Sequence, residues 1–103
     1  MNIQKLMKEA QKAQERVAEV QKRLSNLTTE GSSGGGLVIV KATGDGNITG
    51  INIDPSAVDT NDLELLEDLL VAAISDAQRK SKELQEQEMG SAMGGLGGLP
   101  GLF

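Results

Sequence analysis

Residues 2–27 hold the pattern that most constrains the fold. Apolar side chains stand at Ile3, Leu6, Ala10, Ala13, Val17, Val20, Leu24 and Leu27, in steps of 3, 4, 3, 4, 3, 4 and 3. Alternating steps of three and four keep side chains on one side of an α-helix, as the a and d positions of a heptad repeat do. The segment has no glycine or proline and is rich in Gln, Lys, Glu and Ala, all compatible with helix. A helix over 2–27 is predicted, about 40 Å long at about 1.5 Å per residue. Its apolar stripe is narrower than that of a helix lying on a globular core. It reads as a seam for packing against another helix, with Ala10 and Ala13 allowing close approach.

The rest of the chain alternates differently. Thr28-Thr29-Glu30 reads as a short strand, and Gly31-Ser32-Ser33-Gly34-Gly35-Gly36 as a glycine-rich joint between the first helix and the sheet. Leu37–Thr43 is a β-rich run, Gly44-Asp45-Gly46-Asn47 a hairpin turn, and Ile48–Ile53 the returning strand. Period-two alternation puts Val38, Val40 and Ala42 on one face, with Ile51 and Ile53 across from them. Asp59-Thr60-Asn61-Asp62 has the caps and acids of a helix start, and Leu63 to about Met89 follows without glycine or proline. Its apolar first half is predicted to cover the sheet and its polar second half to project. The expected organisation is α+β: one domain over 1–89, with a helix over 2–27, a three-stranded antiparallel sheet over about 28–54 and a helix over about 61–89. The glycine-rich segment 90–103 is expected to be a flexible tail.

With 103 residues and one aromatic side chain, Phe103, the core is thin, and a partner subunit is expected to add to it. Histidine, cysteine, tyrosine and tryptophan are absent, which removes the usual general base, the thiolate nucleophile and the commonest transition-metal ligands. An enzyme is not expected, and neither is a cofactor, a metal or a small-molecule substrate. The six-residue glycine stretch lacks the lysine and the following helix of a phosphate-binding loop. The acidic run from Asp59 lacks the glycine and distal glutamate of a calcium loop. No apolar stretch nears the roughly 20 residues of a membrane span, and the N-terminus has no apolar signal region, so a cytosolic protein is expected.

The net charge of −5 hides an asymmetry. Residues 1–27 hold six basic and three acidic side chains, whereas 54–76 hold seven acids and no base. At about 100° per residue, Lys5, Lys8, Lys12, Arg16 and Arg23 fall within an arc of about 80°, roughly a third of a turn from the seam. Such a row suits the repeating phosphates of duplex DNA. It equally suits a solvated helix face, since Glu15 and Glu19 share the arc. Without aromatic residues in the folded part, stacking on single-stranded bases is not expected.

Several segments, taken in order, resemble one family. They are Met7-Lys8-Glu9-Ala10-Gln11-Lys12-Ala13-Gln14, residues 30–38 (EGSSGGGLV), Ile51-Asn52-Ile53-Asp54-Pro55, residues 66–74 (LEDLLVAAI) and the tail GGLPGLF. Together they resemble the YbaB/EbfC family of bacterial nucleoid-associated DNA-binding proteins over essentially the whole length. The resemblance implies an α+β subunit and a homodimer whose protruding helices form a tweezer-like shape. It also implies structural DNA binding of low sequence preference in the nucleoid, with roles in nucleoid organisation and gene regulation. The N-terminal motif covers Lys8 and Lys12. Lys5, Arg16 and Arg23 join them from the arc, and Arg79, Lys80 and Lys82 on the second helix are secondary candidates for phosphate contact. The alternative is a dimeric helical adaptor that binds proteins and not DNA, which the acidic net charge favours.

Overall fold

The computed structural model describes residues 2–92. Helix α1 (Ile3–Asn26) leads to three strands, β1 (Thr28–Ser33), β2 (Val38–Thr43) and β3 (Ile48–Ile53). A single 3-10 turn (Pro55–Ala57) follows, and then helix α2 (Leu63–Ala92). The strands form one antiparallel sheet in the order β1-β2-β3. This is the α+β arrangement expected, two long helices about a small sheet.

Local chemistry sets the element ends. Asn2 caps α1: its side-chain oxygen accepts from the backbone N–H of Gln4 at 3.1 Å and of Lys5 at 3.4 Å, filling two of the orphan donors of a first turn. Asp62 does the same for α2, accepting from the N–H of Leu65 at 3.3 Å. Between β2 and β3 the turn closes through Gly46, whose φ of 96° favours glycine. The β2–β3 pairing runs in register from Val38↔Ile53 to Lys41↔Gly50. It then slips so that Ala42 faces Ile48, leaving Thr49 as the extra residue of a bulge.

The glycine-rich stretch departs from the expected joint. Gly31, Ser32 and Ser33 continue β1 and pair with Val40, Ile39 and Val38. Only Gly34, Gly35 and Gly36, with φ of 60°, 69° and 98°, make the turn, and it links β1 to β2. The reason lies on α2. A Cβ at Gly31 would collide with the backbone of Ala73 and Ala77, so strand and helix touch main chain to main chain. Polar groups fasten the contact. Ser33 Oγ donates to the Leu69 carbonyl at 2.6 Å, and the Ser32 N–H donates to Asp76 Oδ2 at 3.0 Å. Thr29 and Ser81 hydroxyls lie 2.8 Å apart, and Ser81 Oγ donates to the Thr43 carbonyl at 2.9 Å.

The core is small. Val38, Val40, Ala42, Ala73 and Ala77 are fully buried, flanked by half-buried Leu66, Leu69, Leu70 and Ile74. The alternation expected on β2 is the one observed. Helix α2 lies across β1 and β2 and leaves β3 largely uncovered, so Ile51, paired with Val40, is 48% exposed. Helix α2 continues through Gly90, Ser91 and Ala92, past the predicted end at Met89; Met89 and Ala92 are half-buried along this stretch. The expectation of a flexible tail otherwise concerns residues 93–103, which lie outside the described residues.

Candidate nucleic-acid interface

The two helices meet only near the C-terminal end of α1. Gly44 donates its N–H to the carbonyls of Leu24 and Leu27, both at 2.9 Å, and Gln85 Nε2 donates to the Gly44 carbonyl at 3.0 Å. One turn further on, Arg23 pairs with Glu88 at 3.2 Å. Higher numbers on α2 therefore meet lower numbers on α1, and the helices run antiparallel. The seam predicted on α1 divides at this junction. Val20 and Leu24 are 1% and 3% exposed, and Leu27 and Val17 are half-buried. Further out, Ala13 is half-buried and Ala10 exposed, while Leu6 is 48% and Ile3 69% exposed. Among the described residues nothing covers the first half of α1, within a molecule of 70 × 25 × 16 Å.

That free half carries the cation row. Lys5, Lys8, Lys12 and Arg16 are exposed and make no ion pair among the described residues. Their spacings of 3, 4 and 4 stack them on adjacent turns. The row spans about 16 Å, a length over which duplex DNA presents about ten phosphates. Lysine and arginine here are long, fully solvated donors on a rigid rod, which suits contact with phosphate and not base reading.

The other cations are differently placed. Arg23 sits at the helix junction on Glu88. Arg79 bridges Asp76 at 2.8 Å and Glu83 at 2.7 Å; its pKa is pushed up, first by the hydrogen bond to Asp76 and then by the one to Glu83. Lys80 lies 3.3 Å from Asp76 and donates to the Glu30 carbonyl at 3.0 Å. Asp76 itself is held down at about 2, first by the Ser32 backbone N–H and then by Arg79. Lys82 is exposed, with no ion pair among the described residues. Arg79 and Lys80 thus serve to tie α2 to itself and to β1. The spacing Asp76-Arg79-Lys80-Glu83 carries this signal, because i,i+3 and i,i+4 neighbours of opposite charge pair on a helix.

One surface escaped the sequence pattern. Leu63, Leu70 and Ile74 share one flank of α2, with Val71 at its edge. Leu63 and Val71 are 51% and 65% exposed. Beyond them lie Ile51 and Ile53 on the uncovered strand β3. Leu70, Ile74 and Ile53 are half-buried, so the apolar surface left open among the described residues is that of Leu63, Val71 and Ile51.

No three His, Cys, Asp or Glu residues among those described come together as metal ligands. No described helix is long and apolar enough to cross a membrane. The depression beside the glycine turn is lined by Glu30, Gly31, Ser32, Gly35, Gly36, Ile39 and Lys80; its one cation is already paired, so it offers no free charge to a phosphate.

The model of the YbaB/EbfC DNA-binding family matches residues 1–96. A nucleoid-associated protein of Acetivibrio thermocellus is 48% identical over 102 residues, covering 99% of this chain and 90% of that protein. One of Thermus thermophilus is 52% identical over 103 residues, covering 98% and 97%. The crystal structure of an uncharacterized Helicobacter pylori protein has the same fold, with a TM-score of 0.74 at 23% identity, over 93% of this chain and 98% of that one. The relation extends over almost the entire sequence of each relative, and the chain belongs to the YbaB/EbfC DNA-binding family.

Proposed function

We propose that this chain is a nucleoid-associated protein that binds duplex DNA as a homodimer, through phosphates and with low sequence specificity. The observation that carries the reading is the row Lys5, Lys8, Lys12 and Arg16, free of ion pairs among the described residues on the unsupported half of α1. The seven acids of residues 54–76 sit elsewhere, from the end of β3 along the first half of α2. Phosphate attraction is local, screened beyond about 10 Å at ordinary salt, so a row on a projecting rod can act despite a net charge of −5. Lys82, without an ion pair among the described residues, adds to the field. Arg23, Arg79 and Lys80 contribute less, because carboxylates already answer them.

The open apolar surface supports the homodimer part of this reading. Burying Leu63, Leu70, Val71, Ile74, Ile51 and Ile53 against a second copy would complete a core too thin for a subunit alone. A two-fold contact of this kind is self-complementary and leaves both α1 rods projecting. Two cation rows on one dimer can grip one duplex from two sides or bridge two duplexes. Either would change DNA conformation and so serve nucleoid organisation and gene regulation. The same surface accounts for the protein-binding face that an adaptor would need, without a foreign partner.

A salt titration of duplex binding tests the reading. If a dimer engages about six phosphates, log affinity falls against log salt with a slope near −5. A flat response, or no duplex binding at low salt, would sink it.

A further inference from the structure

The open half of α1 has two nearly opposite faces. At about 100° per residue, Ile3, Leu6, Met7, Ala10 and Ala13 centre about 150° from the row Lys5, Lys8, Lys12 and Arg16. Ile3, Leu6 and Met7 are 69%, 48% and 65% exposed. A rod resting its cations on phosphates therefore turns its apolar face away from the DNA. We propose that this face pairs with the same face of a second copy in another dimer, antiparallel and tip to tip, so that neighbouring dimers associate. The pairing itself is independent of DNA binding; its effect on DNA rests on the phosphate-binding reading above.

Three observations name the occupant and the register. The first is the helical period. Ile3, Leu6, Ala10 and Ala13 keep the 3-4-3 steps of a two-helix seam, in which each side chain enters a hole of the facing helix. The second is size. The large side chains stand at the outer end of the open seam and the alanines at the inner end. Antiparallel copies pair Ile3 with Ala13 and Leu6 with Ala10, so every layer holds one large and one small side chain. A parallel pair would set Ile3 on Ile3 and Ala13 on Ala13, and no single helix spacing packs both layers. The third is room. With Ile3 of the second copy beside Ala13, its tip stops two turns short of Val20, the first fully buried seam residue. The two bodies then lie at opposite ends of the pair. A parallel pair would press them together at the spacing of packed helices, about 8–10 Å, whereas the molecule is 25 × 16 Å across.

The flanks set the strength. In this register Met7 stands opposite its counterpart on one side, and Glu9 faces Glu9 on the other. The overlap, about 15 Å long, is too short to bury the roughly 1,200 Å² of a stable interface. The contact therefore forms where copies are crowded. Dimers side by side on one duplex reach effective concentrations in the millimolar range, and there the pairing makes DNA binding cooperative.

Sedimentation velocity on the full chain, from micromolar to millimolar concentration, tests the pairing without DNA. Species larger than the dimer should appear toward the upper end. Ile3→Gln with Leu6→Gln, both at exposed positions, should remove them and keep the dimer. Glu9→Gln should move their onset to about twofold lower concentration, because it removes the like-charge pair. On a duplex that holds several dimers, the wild type should bind with a higher Hill coefficient than the double variant. On a duplex that holds one dimer, the two should bind equally. No larger species at millimolar concentration, or larger species untouched by the double variant, overturns the proposal. Monomers from that variant would make the seam the dimer interface itself and overturn it as well. Equal Hill coefficients would overturn the effect on DNA. Absence of duplex binding leaves the sedimentation result standing, so the two readings fail separately.

Discussion

Gly31→Ala isolates the contact that most constrains the subunit. A methyl group at this position would stand 2.7 Å from the Ala77 Cα and closer still to the Ala77 nitrogen and the Ala73 oxygen, where ordinary contacts begin at 3.4 Å. All three are backbone atoms of α2, so no rotamer change relieves the overlap. The helix must move off β1 by most of an ångström. That displacement works against the neighbouring bonds, Ser33–Leu69, Ser32–Asp76 and Thr29–Ser81. Overpacking costs about 1–3 kcal/mol, and weakening two or three hydrogen bonds adds about 1 kcal/mol. A loss of about 3 kcal/mol is expected, against a total near 5–15 kcal/mol for a domain of this size. In a thermal melt this corresponds to a fall of about 12–24 °C. Urea denaturation followed by circular dichroism, at matched protein concentration, checks it. Gly35→Ala is the comparison: its φ of 69° is unsuited to alanine, yet nothing lies within 4 Å of the added atom, so a cost of about 1–2 kcal/mol is expected. If Gly31→Ala proves no more destabilising than Gly35→Ala, the close backbone approach is not what holds β1 on α2.

Other outcomes follow from the same geometry. Lys8→Glu with Lys12→Glu should abolish measurable duplex binding in a fluorescence anisotropy titration while sedimentation still shows the wild-type assembly; unchanged affinity would remove the row from the interface. Arg79→Ala should change duplex affinity less than twofold in that assay, because its charge is already spent on Asp76 and Glu83. Ile51→Asp with Val71→Asp should yield monomers in light scattering, and a persistent dimer would place the interface elsewhere. Asp76, lowered from 3.8 to about 2, binds its proton more weakly folded than unfolded. Its contribution to stability is complete above pH 3.8 and is lost as pH falls to about 2. Asp76→Asn should flatten the acid limb of stability in that window, and an unchanged acid limb would count against the Ser32 and Arg79 contacts.

Much of this architecture is legible in the sequence because it is local. The 3-4 steps from Ile3 to Leu27, the Asp62 cap and the alternation of Val38, Val40 and Ala42 each depend on neighbours a few residues away. What the sequence hides depends on distant partners. The stretch Gly31-Ser32-Ser33 has no strand propensity of its own; it becomes strand because Leu69, Asp76 and the backbone at Ala73 and Ala77 complete it from about 40 residues away. Val20 and Leu6 hold equivalent seam positions, yet one is buried and the other open, because α2 reaches only one of them. Of the cations, the row on α1 is visible as an arc and the pairing of Arg79 as a spacing. The Arg23–Glu88 pair joins residues 65 apart, so only the fold reveals it.

The anchoring of α1 by its last turns alone has a mechanical consequence. From Val17 to Ile3 the rod is a cantilever about 21 Å long, clamped at Leu24 by the hairpin tip and supported by no other described element. A tilt of about 10° at the clamp swings the tip by nearly 4 Å at the 1.5 Å rise per residue, with no hydrogen bond of the sheet disturbed. If the row grips DNA as proposed, a charge comb on so compliant a mount would follow a groove as it widens or narrows and would lose little when the base sequence beneath it changes.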